Sequence, residues 1–288
     1  MKTSPMHRFL LHNDAILDAS ERGLSPGQVG LMNGWGVFST LRVYDGVIFA
    51  WDRHWQRLKF DAERMRVPFP NSSDELEQRL NQLIEANQAW NSTLRVVVVR
   101  NHGGMWEGPG PMRDSDIIAL TSDVAKWGAT VKLGLIPNGR LAASEFAGAK
   151  ILSWSENLTR YERAREQGFD EVLLLNERGE ACECTSANIF AAKNGEVWTP
   201  PVNSGCLPGV TRGILLEQPQ VKEKALLPAD LEAADEVFIT STTRELLPVV
   251  SIEGLRIYTG GEARRKLHQA FRAAVDSYIA AHPRPVKA

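Results

Sequence analysis

Cysteine is scarce in this sequence, since the 288 residues include only Cys182, Cys184 and Cys206. So small and odd a set does not build a disulfide framework, and we expect a reducing, cytoplasmic environment. Cys182 and Cys184 do not have the spacing of zinc ligands, and no histidine lies near them in sequence, so we expect no metal site. The N-terminus lacks the apolar core of a signal peptide, and no apolar run reaches the length of a membrane span.

The chain also lacks a large excess of positive or of negative residues. The net charge is -2 and no basic block stands out, which argues against nucleic acid or an anionic membrane as a partner. The sequence has no Gly-x-Ser-x-Gly motif of a serine hydrolase. The stretch 103–111 after the valine-rich strand lacks the glycine pattern of a dinucleotide site. What remains is an ordinary globular composition, with 43% hydrophobic and 24% charged residues, in a chain long enough for two domains.

Short strands and helices alternate in both halves of the chain. The dipeptides Asn13-Asp14, Asp45-Gly46 and Asn194-Gly195 predict tight turns between strands. Apolar residues at helical spacing predict helices at 53–66, 73–88, 155–167 and 262–280. Strands are predicted at 9–17 (two strands around the first turn), 37–43, 47–49, 94–100, 116–120, 131–136, 171–175, 181–185, 188–192, 197–199 and 236–240. Because antiparallel hairpins are frequent among the helices, we predict an α+β fold rather than one doubly wound sheet.

A polar, irregular stretch follows the strand predicted at 116–120 and suggests where two domains separate. We predict an N-terminal domain over residues 1–121, a linker over 122–130 and a C-terminal domain over 131–288. No internal repeat and no low-complexity segment interrupts either part. Each domain would therefore be an independent mixture of strands and helices.

Lys150 and Glu183 are the first candidates for chemistry. Lys150 follows small residues that leave room around its amine, although a lysine taken alone is usually a solvated surface residue. Strand alternation places Glu183 on one face with Ala181 and Thr185. A carboxylate among small, mostly apolar neighbours is costly unless it has a cationic partner, and a protonated pyridine nitrogen would be one. The alternative is an edge-strand carboxylate that faces water.

Groups that could bind a phosphate occur at three places in the sequence. Residues 209–212 predict the first turn of a helix, whose free backbone N–H groups and Thr211 hydroxyl suit an anion. The run 241–243 offers further hydroxyl groups at the end of a strand. Arg57 lies off the apolar face of its helix and could bind a phosphate through two hydrogen bonds. An ordinary capped helix, a polar turn and a solvated arginine are the alternatives.

Taken together, these motifs resemble those of the class IV aminotransferases, the fold-type IV group of pyridoxal-phosphate enzymes. That group includes branched-chain aminotransferases, D-amino acid aminotransferases and 4-amino-4-deoxychorismate lyases. The resemblance extends from about Leu10 to about Val249, and the spacing of Lys150 and Glu183 matches the family. Its most specific pieces are 183–190, 199–201, 207–212 and 234–238. It implies a two-domain α+β fold, with a smaller N-terminal α/β sandwich and a larger C-terminal, mixed, β-barrel-like domain with helices.

The resemblance also implies roles for individual residues. Lys150 would form the Schiff base with pyridoxal 5'-phosphate and then act as general acid and base, while Glu183 would pair with the pyridine nitrogen. The phosphate would be bound by Arg57, Val210, Thr211 and Thr242, with Ser241 nearby. The same resemblance implies a homodimer. The segment after the lysine lacks the Asn-Tyr pair of many family members, and Ser155 is the candidate replacement.

The resemblance leaves the reaction open between two enzymes and a non-enzyme. Ser39 and Thr40 after Phe38, and the cysteine after Glu183, are similar to the lyases, whereas the run 208–212 is similar to the transaminases. We predict transfer of an amino group between an amino acid, of the branched-chain type or similar, and a 2-oxo acid. One alternative is a 4-amino-4-deoxychorismate lyase that releases pyruvate and gives 4-aminobenzoate. The other is a non-catalytic binding protein that has kept the fold.

Substrates of both enzymes carry carboxylates, so cationic side chains should bind them. Arg100 and His102 directly follow the valine-rich strand, and Arg95 lies earlier on it. Thr243 is a further candidate from the hydroxyl-rich run, while Arg140 is a secondary one. Surface solvation is the alternative for each of the charged side chains.

Overall fold

The computed structural model describes residues 5–21, 28–104 and 113–283. It divides into two compact units. The first contains Met1–Lys126, Ala149–Trp154 and Val275–Ala288, and the second contains Trp127–Gly148 and Ser155–Ala274. Lys150 therefore belongs to the first unit, although the chain on both sides of its short segment belongs to the second. The domain boundaries expected from the sequence stay predictions.

The first unit is built on an antiparallel sheet. Its strands are β1 (Met6–His12), β2 (Ala15–Asp18), β3 (Gly36–Tyr44), β4 (Val47–Ile48), β5 (Ser92–Arg100) and β6 (Ser115–Asp123). They form a six-stranded sheet in the order β2-β1-β6-β5-β3-β4. The predicted hairpin turns are confirmed, since Asn13 and Asp45 both have left-handed backbone conformations, with φ of 54° and 50°. This geometry matches the twist of the flanking strands.

Helices cover the sheet of the first unit. They are α1 (Val29–Asn33), α2 (Trp51–Arg64) and α3 (Ser73–Ala86), so the two helices predicted here are confirmed, each beginning and ending within two residues of the expected bounds. The apolar faces of α2 and α3 pack with alternate residues of β3 and β5 in one buried cluster, which includes Leu58, Ala62, Leu80, Leu83, Leu41, Val43, Leu94, Val96 and Val98. Burial of this cluster fixes which face of α2 lies against the sheet.

The second unit contains eight strands and the remaining helices. The strands are β7 (Val131–Ile136), β8 (Glu171–Leu175), β9 (Ala181–Cys184), β10 (Asn188–Lys193), β11 (Glu196–Thr199), β12 (Val221–Glu223), β13 (Glu236–Ser241) and β14 (Glu245–Ile252). The helices are α4 (Ser155–Glu166), α5 (Val210–Leu216), α6 (Pro228–Glu232) and α7 (Glu262–Ala281), the last of which runs into the first unit from Val275 onward. The helices predicted at 155–167 and 262–280 are confirmed.

The sheet of the second unit is mixed and strongly curled. Its order is β12-β11-β10-β13-β14-β7-β8-β9, with parallel pairing of β11 with β12, β14 with β7 and β7 with β8. Ala181 of the edge strand β9 forms a bridge to Leu226, three residues beyond the opposite edge strand β12. The two edges therefore approach each other, as in a barrel. This mixed, curled architecture confirms the α+β fold class.

Several elements differ from the sequence-based predictions, and the short elements β12 and α6 were not predicted at all. β14 was not predicted because Pro248 interrupts its apolar run, and a proline normally argues against a strand interior. β6 continues to Asp123, past the expected end at Leu120, because its polar end pairs with the start of β5. The helix α1 occupies part of a glycine-rich stretch that carried no helical signal. In the part of the chain that the structure describes, no helix is both long and apolar enough to cross a membrane.

Candidate active site

The main chain of Lys150 is fixed against β3. The Phe38 N–H donates to the Lys150 carbonyl at 3.0 Å, and the Leu152 N–H donates to the Gly36 carbonyl at 2.9 Å. This segment therefore extends the sheet beside the part of β3 that the short strand β4 does not cover. A side chain at Gly36 would collide with Leu152 and the neighbouring strand, so glycine permits the close approach.

The Lys150 amine lies over an aromatic ring that it shares with an arginine. Lys150 Nζ is 4.5 Å from the centroid of Phe38, and the Arg95 guanidinium carbon is 4.0 Å from the same centroid. Trp154 meets Phe38 edge-on, with centroids 6.1 Å apart. Both cations are stabilised by the ring, which also fixes their positions. The pKa of Arg95 is lowered by burial.

Arg57 is held by a chain of hydrogen bonds that begins on its own helix. Arg57 Nη2 donates to Ser39 Oγ at 2.7 Å, and Ser39 Oγ lies 2.7 Å from His54 Nδ1. Burial, together with the Arg57 and Lys150 charges, lowers the pKa of His54 well below its usual range. His54 is therefore neutral, and its Nδ1 can accept the Ser39 hydroxyl proton. The predicted phosphate ligand Arg57 is thus oriented, and burial lowers its pKa to about 10.

Asp61 is a buried carboxyl group in the same region that the sequence analysis did not identify. The Lys150 N–H donates to Asp61 Oδ2 at 3.2 Å, and Asp61 is 1% exposed. Burial raises the pKa of Asp61, although the Lys150 N–H and the Arg57, Arg64 and Lys150 charges oppose that shift. Three cationic residues, Lys150, Arg57 and Arg95, therefore lie in the part of the first unit that contains the acidic residue Asp61. The excess positive charge suits an anionic ligand.

Glu183, in the second unit, is buried on β9 and has a cationic partner. Arg140 Nε donates to Glu183 Oε1 at 3.2 Å, and the Leu207 N–H donates to Oε2 at 3.0 Å. Arg140 in turn donates to Asn157 at 2.9 Å. The Glu183 side chain is 11% exposed, so it does not face water from an edge strand. Arg140 was not predicted as its partner, and a glutamate side chain has two acceptor oxygens with room for another donor.

Val210 and Thr211 begin the seven-residue helix α5, as predicted. Gly209 is its N-cap and no side chain caps it, so the first backbone N–H groups have no intrahelical acceptor. Val210 and Thr211 are 8% and 5% exposed. No described residue hydrogen bonds to the Thr211 hydroxyl. The Asn188 side chain lies where a Cβ of residue 209 would be, and it donates to the Leu207 carbonyl at 2.9 Å.

Gly209→Ala is expected to destabilise the protein by about 1–3 kcal/mol, because the new methyl group would overlap the Asn188 amide. Gly213→Ala, in the same helix, is the matched control, since a Cβ there meets nothing within 4 Å. Alanine in a helix is favoured over glycine by up to about 1 kcal/mol, so this control should be neutral or more stable. Urea unfolding of both variants measures the difference. Equal stabilities would contradict the close contact at Gly209.

Ser241, Thr242 and Thr243 lie at the turn between β13 and β14 and are partly exposed. The Arg244 N–H donates to Ser241 Oγ at 3.2 Å, which closes the turn. Partly exposed hydroxyl groups on a tight turn can donate to an anion from outside. The structure therefore places these predicted residues at the surface of the second unit, on a well-defined loop.

A buried ion pair supports this turn and was also missed from the sequence. Arg244 Nη2 donates to Glu171 Oε2 at 3.1 Å, and the two side chains are 4% and 0% exposed. Arg244 Nη1 also donates to the Ser186 carbonyl at 3.1 Å, and the Ser186 and Thr185 hydroxyl groups donate to Glu171. The guanidinium lies 3.9 Å from the Trp127 ring. This network joins the 241–243 turn to the chain that follows Glu183.

Arg100 and His102 have contacts of a different kind. Arg100 Nε donates to the His102 carbonyl at 2.5 Å, and Arg100 Nη1 donates to the Arg66 carbonyl. The guanidinium also lies 4.4 Å from the Trp35 ring. Two main-chain carbonyls and an aromatic ring therefore engage Arg100, whereas no described residue hydrogen bonds to or pairs with the Arg95 guanidinium. The stretch 105–112 that follows lies outside the described residues.

The three cysteines are free and buried in the second unit. Burial raises the pKa of each thiol, and that of Cys206 reaches about 12. A thiol with so high a pKa is neutral at physiological pH and is a poor nucleophile. These residues therefore contribute to the core of the unit rather than to its chemistry. Ser155, the candidate replacement for the missing tyrosine, begins α4 and is exposed.

Comparison with known proteins gives one consistent result. Residues 36–252 match the family model described as amino-transferase class IV. The chain is 30% identical over 263 residues to the branched-chain-amino-acid aminotransferase of Salmonella typhimurium, which covers 83% of each protein. It is also 30% identical over 260 residues to the D-alanine aminotransferase of Bacillus licheniformis, covering 87% of this chain and 90% of that protein. The solved branched-chain amino acid aminotransferase from Escherichia coli superposes with a TM-score of 0.83 at 27% identity, covering 93% of this chain and 94% of that one.

Proposed function

From the premise that the chain belongs to the class IV aminotransferases, we propose that it is a pyridoxal-phosphate-dependent enzyme that moves an amino group between an amino acid and a 2-oxo acid. The observation that carries the proposal is the position of Lys150. Its main chain is fixed on β3, and its amine lies over Phe38 beside a second cation. A fixed amine in a cationic, partly buried group suits covalent chemistry with an anionic carbonyl compound.

The residues of each unit fit pyridoxal 5'-phosphate. When bound, this cofactor supplies an electron-withdrawing ring that stabilises negative charge on the α-carbon of an amino acid. We assign Lys150 Nζ as the amine that binds its aldehyde and that afterwards holds and moves the α-proton. Glu183 would hold the proton of the ring nitrogen, and the Arg140 contact keeps the carboxylate oriented for that purpose. The proposed phosphate ligands are Arg57, Val210, Thr211, Ser241 and Thr242.

Arg95 is the proposed ligand of the substrate carboxylate. Its guanidinium lies on the same ring as the Lys150 amine, and no described acid neutralises it. Burial without a carboxylate partner is costly for an arginine, and a substrate carboxylate would remove that cost. Arg100, His102 and Thr243 stay candidates, although the carbonyl contacts of Arg100 already use part of its hydrogen-bonding capacity.

Arg95→Gln is expected to lower kcat/KM by about 10- to 100-fold, mainly through KM, because a charge-assisted hydrogen bond contributes about 1.5–3 kcal/mol. Arg100→Gln, at the C-terminal end of β5, is measured beside it. Steady-state kinetics with one amino acid at varied concentration give both constants. A larger rise in KM for Arg100→Gln than for Arg95→Gln would assign the carboxylate to Arg100 instead.

Amino-group transfer itself is tested with the purified protein loaded with pyridoxal 5'-phosphate. A panel of L- and D-amino acids is added, and the visible absorbance of the bound cofactor is followed. We expect at least one amino acid to bleach this absorbance and a 2-oxo acid to restore it, with the active amino acid giving both side-chain class and handedness. Pyruvate release from aminodeoxychorismate without such bleaching would instead indicate a lyase. No reaction with either would indicate a binding protein.

We further propose that the enzyme is a cytoplasmic homodimer. The three free thiols favour a reducing compartment over a secreted location. Exposed apolar side chains on α1, Leu31 and Met32, offer a surface that a second copy could cover. Light scattering of the purified protein gives its mass directly. A monomeric mass at micromolar concentration would contradict the dimer.

A further inference from the structure

Asp61 occupies a place where a carboxyl group is costly. It lies on the face of α2 that packs on the sheet, with Leu58 and Ala62, which are 1% and 0% exposed, beside it. Aspartate also has a low intrinsic propensity for the interior of a helix. Its Oδ1 atom is buried without a hydrogen-bond partner among the described residues. A group that is this unfavourable for stability is more often retained for a function.

Asp61 accepts a hydrogen bond from the main chain of Lys150. The Lys150 N–H donates to Asp61 Oδ2 at 3.2 Å, while the Lys150 carbonyl accepts from the Phe38 N–H at 3.0 Å. Both polar groups of the Lys150 main chain therefore have partners, one on α2 and one on β3. The lysine is thus fixed from two sides at the residue from which its reactive amine extends.

The charged residues around Asp61 also connect it with Lys150. On α2, Arg57 and Arg64 interact favourably with its carboxylate, and His54 is neutral. On the segment 149–154, Lys150 also interacts favourably with it. On β3, Ser39 faces Arg57 and carries no charge. Lys150 is therefore one of three cations, with Arg57 and Arg64, that favour the ionised form of Asp61.

We propose that Asp61 is a positioning residue for Lys150, whose carboxylate anchors the lysine main chain and balances the positive charge of the lysine amine. The inference rests on the proposed function, in which Lys150 is the reactive lysine. It goes beyond it by assigning a buried acid to control of that amine. Asp61→Asn keeps an oxygen that can accept the Lys150 N–H but removes the charge. Asp61→Ala removes both, so the two variants separate anchoring from charge.

The decisive experiment uses the protein without added cofactor. The extent of Lys150 modification by acetic anhydride is measured against pH by mass spectrometry of its peptide. Removal of a nearby carboxylate disfavours the charged amine, so we expect the midpoint to move to lower pH by roughly one pH unit in both Asp61→Asn and Asp61→Ala. Glu63→Gln removes a charge from the exposed side of the same helix and should leave the midpoint in place. A midpoint for Asp61→Asn that equals that of the wild type would overturn the proposal.

Anchoring is measured separately by hydrogen exchange of the Lys150 amide. Loss of one hydrogen bond should speed exchange by about 5- to 10-fold in Asp61→Ala, and Asp61→Asn should stay close to the wild type. Equal exchange in all three proteins would overturn the anchoring role. Because both experiments read the lysine itself, they succeed or fail independently of cofactor binding. A failure of the proposed function would appear elsewhere, as absence of cofactor at Lys150.

Stability against pH provides an internal check on the charge of Asp61. Its pKa is raised in the folded protein, so the folded state binds more protons than the unfolded state from about pH 3.8 up to that raised pKa. Wild-type stability therefore loses this contribution as pH rises through that window. Asp61→Asn should become more stable than the wild type across the same window and keep its advantage at neutral pH. A difference that keeps growing as pH rises to neutrality would show that Asp61 stays protonated in the folded state, and would overturn the charge-balancing role.

Discussion

Lys150→Ala is expected to lower the rate of amino transfer by at least about 10³-fold, because it removes the only group assigned to move the α-proton. The loss should appear in kcat and not be recovered at saturating substrate, since the proposed substrate ligand Arg95 is retained. The rate is measured by transfer from the amino acid identified in the panel to a 2-oxo acid.

The control for this variant is Lys59→Ala. Lys59 lies on α2 in the same unit and is exposed, so its loss removes an amine and a charge without touching Phe38 or β3. Its rate should equal that of the wild type. Activity of Lys150→Ala within a few-fold of the wild type would show that another group transfers the proton, and the assignment of Lys150 would be wrong.

Arg244→Met is expected to destabilise the protein by about 3–5 kcal/mol. The Arg244 and Glu171 side chains are 4% and 0% exposed, so removal of the guanidinium leaves a buried carboxylate whose donors are two hydroxyl groups and the Val172 N–H, none of them charged. Such a loss is a large part of the 5–15 kcal/mol that usually separates the folded and unfolded states. Urea unfolding at neutral pH measures it.

Two further variants identify the cause of this loss. The double variant Arg244→Met with Glu171→Gln should recover much of the stability, because the buried charge is then absent. Arg165→Met breaks an ion pair with Asp170 whose side chains are 44% and 46% exposed, and it should cost no more than about 1 kcal/mol. If Arg244→Met and Arg165→Met have similar stabilities, the buried network does not support the 241–243 turn as described.

Local patterns in the sequence predicted most of the secondary structure. Asn-Gly and Asp-Gly turns, helical spacing and alternating strands depend on neighbours within a few residues, and they placed α2, α3, α4 and α7 correctly. The strand β14 was not predicted, because Pro248 weakens the strand signal of its sequence. In the folded sheet Pro248 is nevertheless paired with Phe238. The spacing of the motifs made Lys150 and Glu183 the candidate site residues, and their roles stay predictions.

The partners of these residues could not be predicted from local patterns. Arg140 and Glu183 are 43 positions apart, and Arg244 and Glu171 are 73 apart, so only the fold brings each pair together. The sequence does contain one indication of Asp61, since its spacing from Leu58 and Ala62 places an acidic residue on the apolar face of α2. To predict that Asp61 is buried, one must know which cations lie near it in the fold, and the sequence alone does not give those neighbours.

The central claim is that Lys150 binds pyridoxal 5'-phosphate, and borohydride reduction tests it most directly. The cofactor-loaded protein is reduced, digested and analysed by mass spectrometry, which locates the lysine that carries the phosphopyridoxyl group. We expect the label on the peptide that contains Lys150, and its loss after an amino acid from the active panel has been added before reduction. A label on any other lysine, or no label on the loaded protein, would contradict the account.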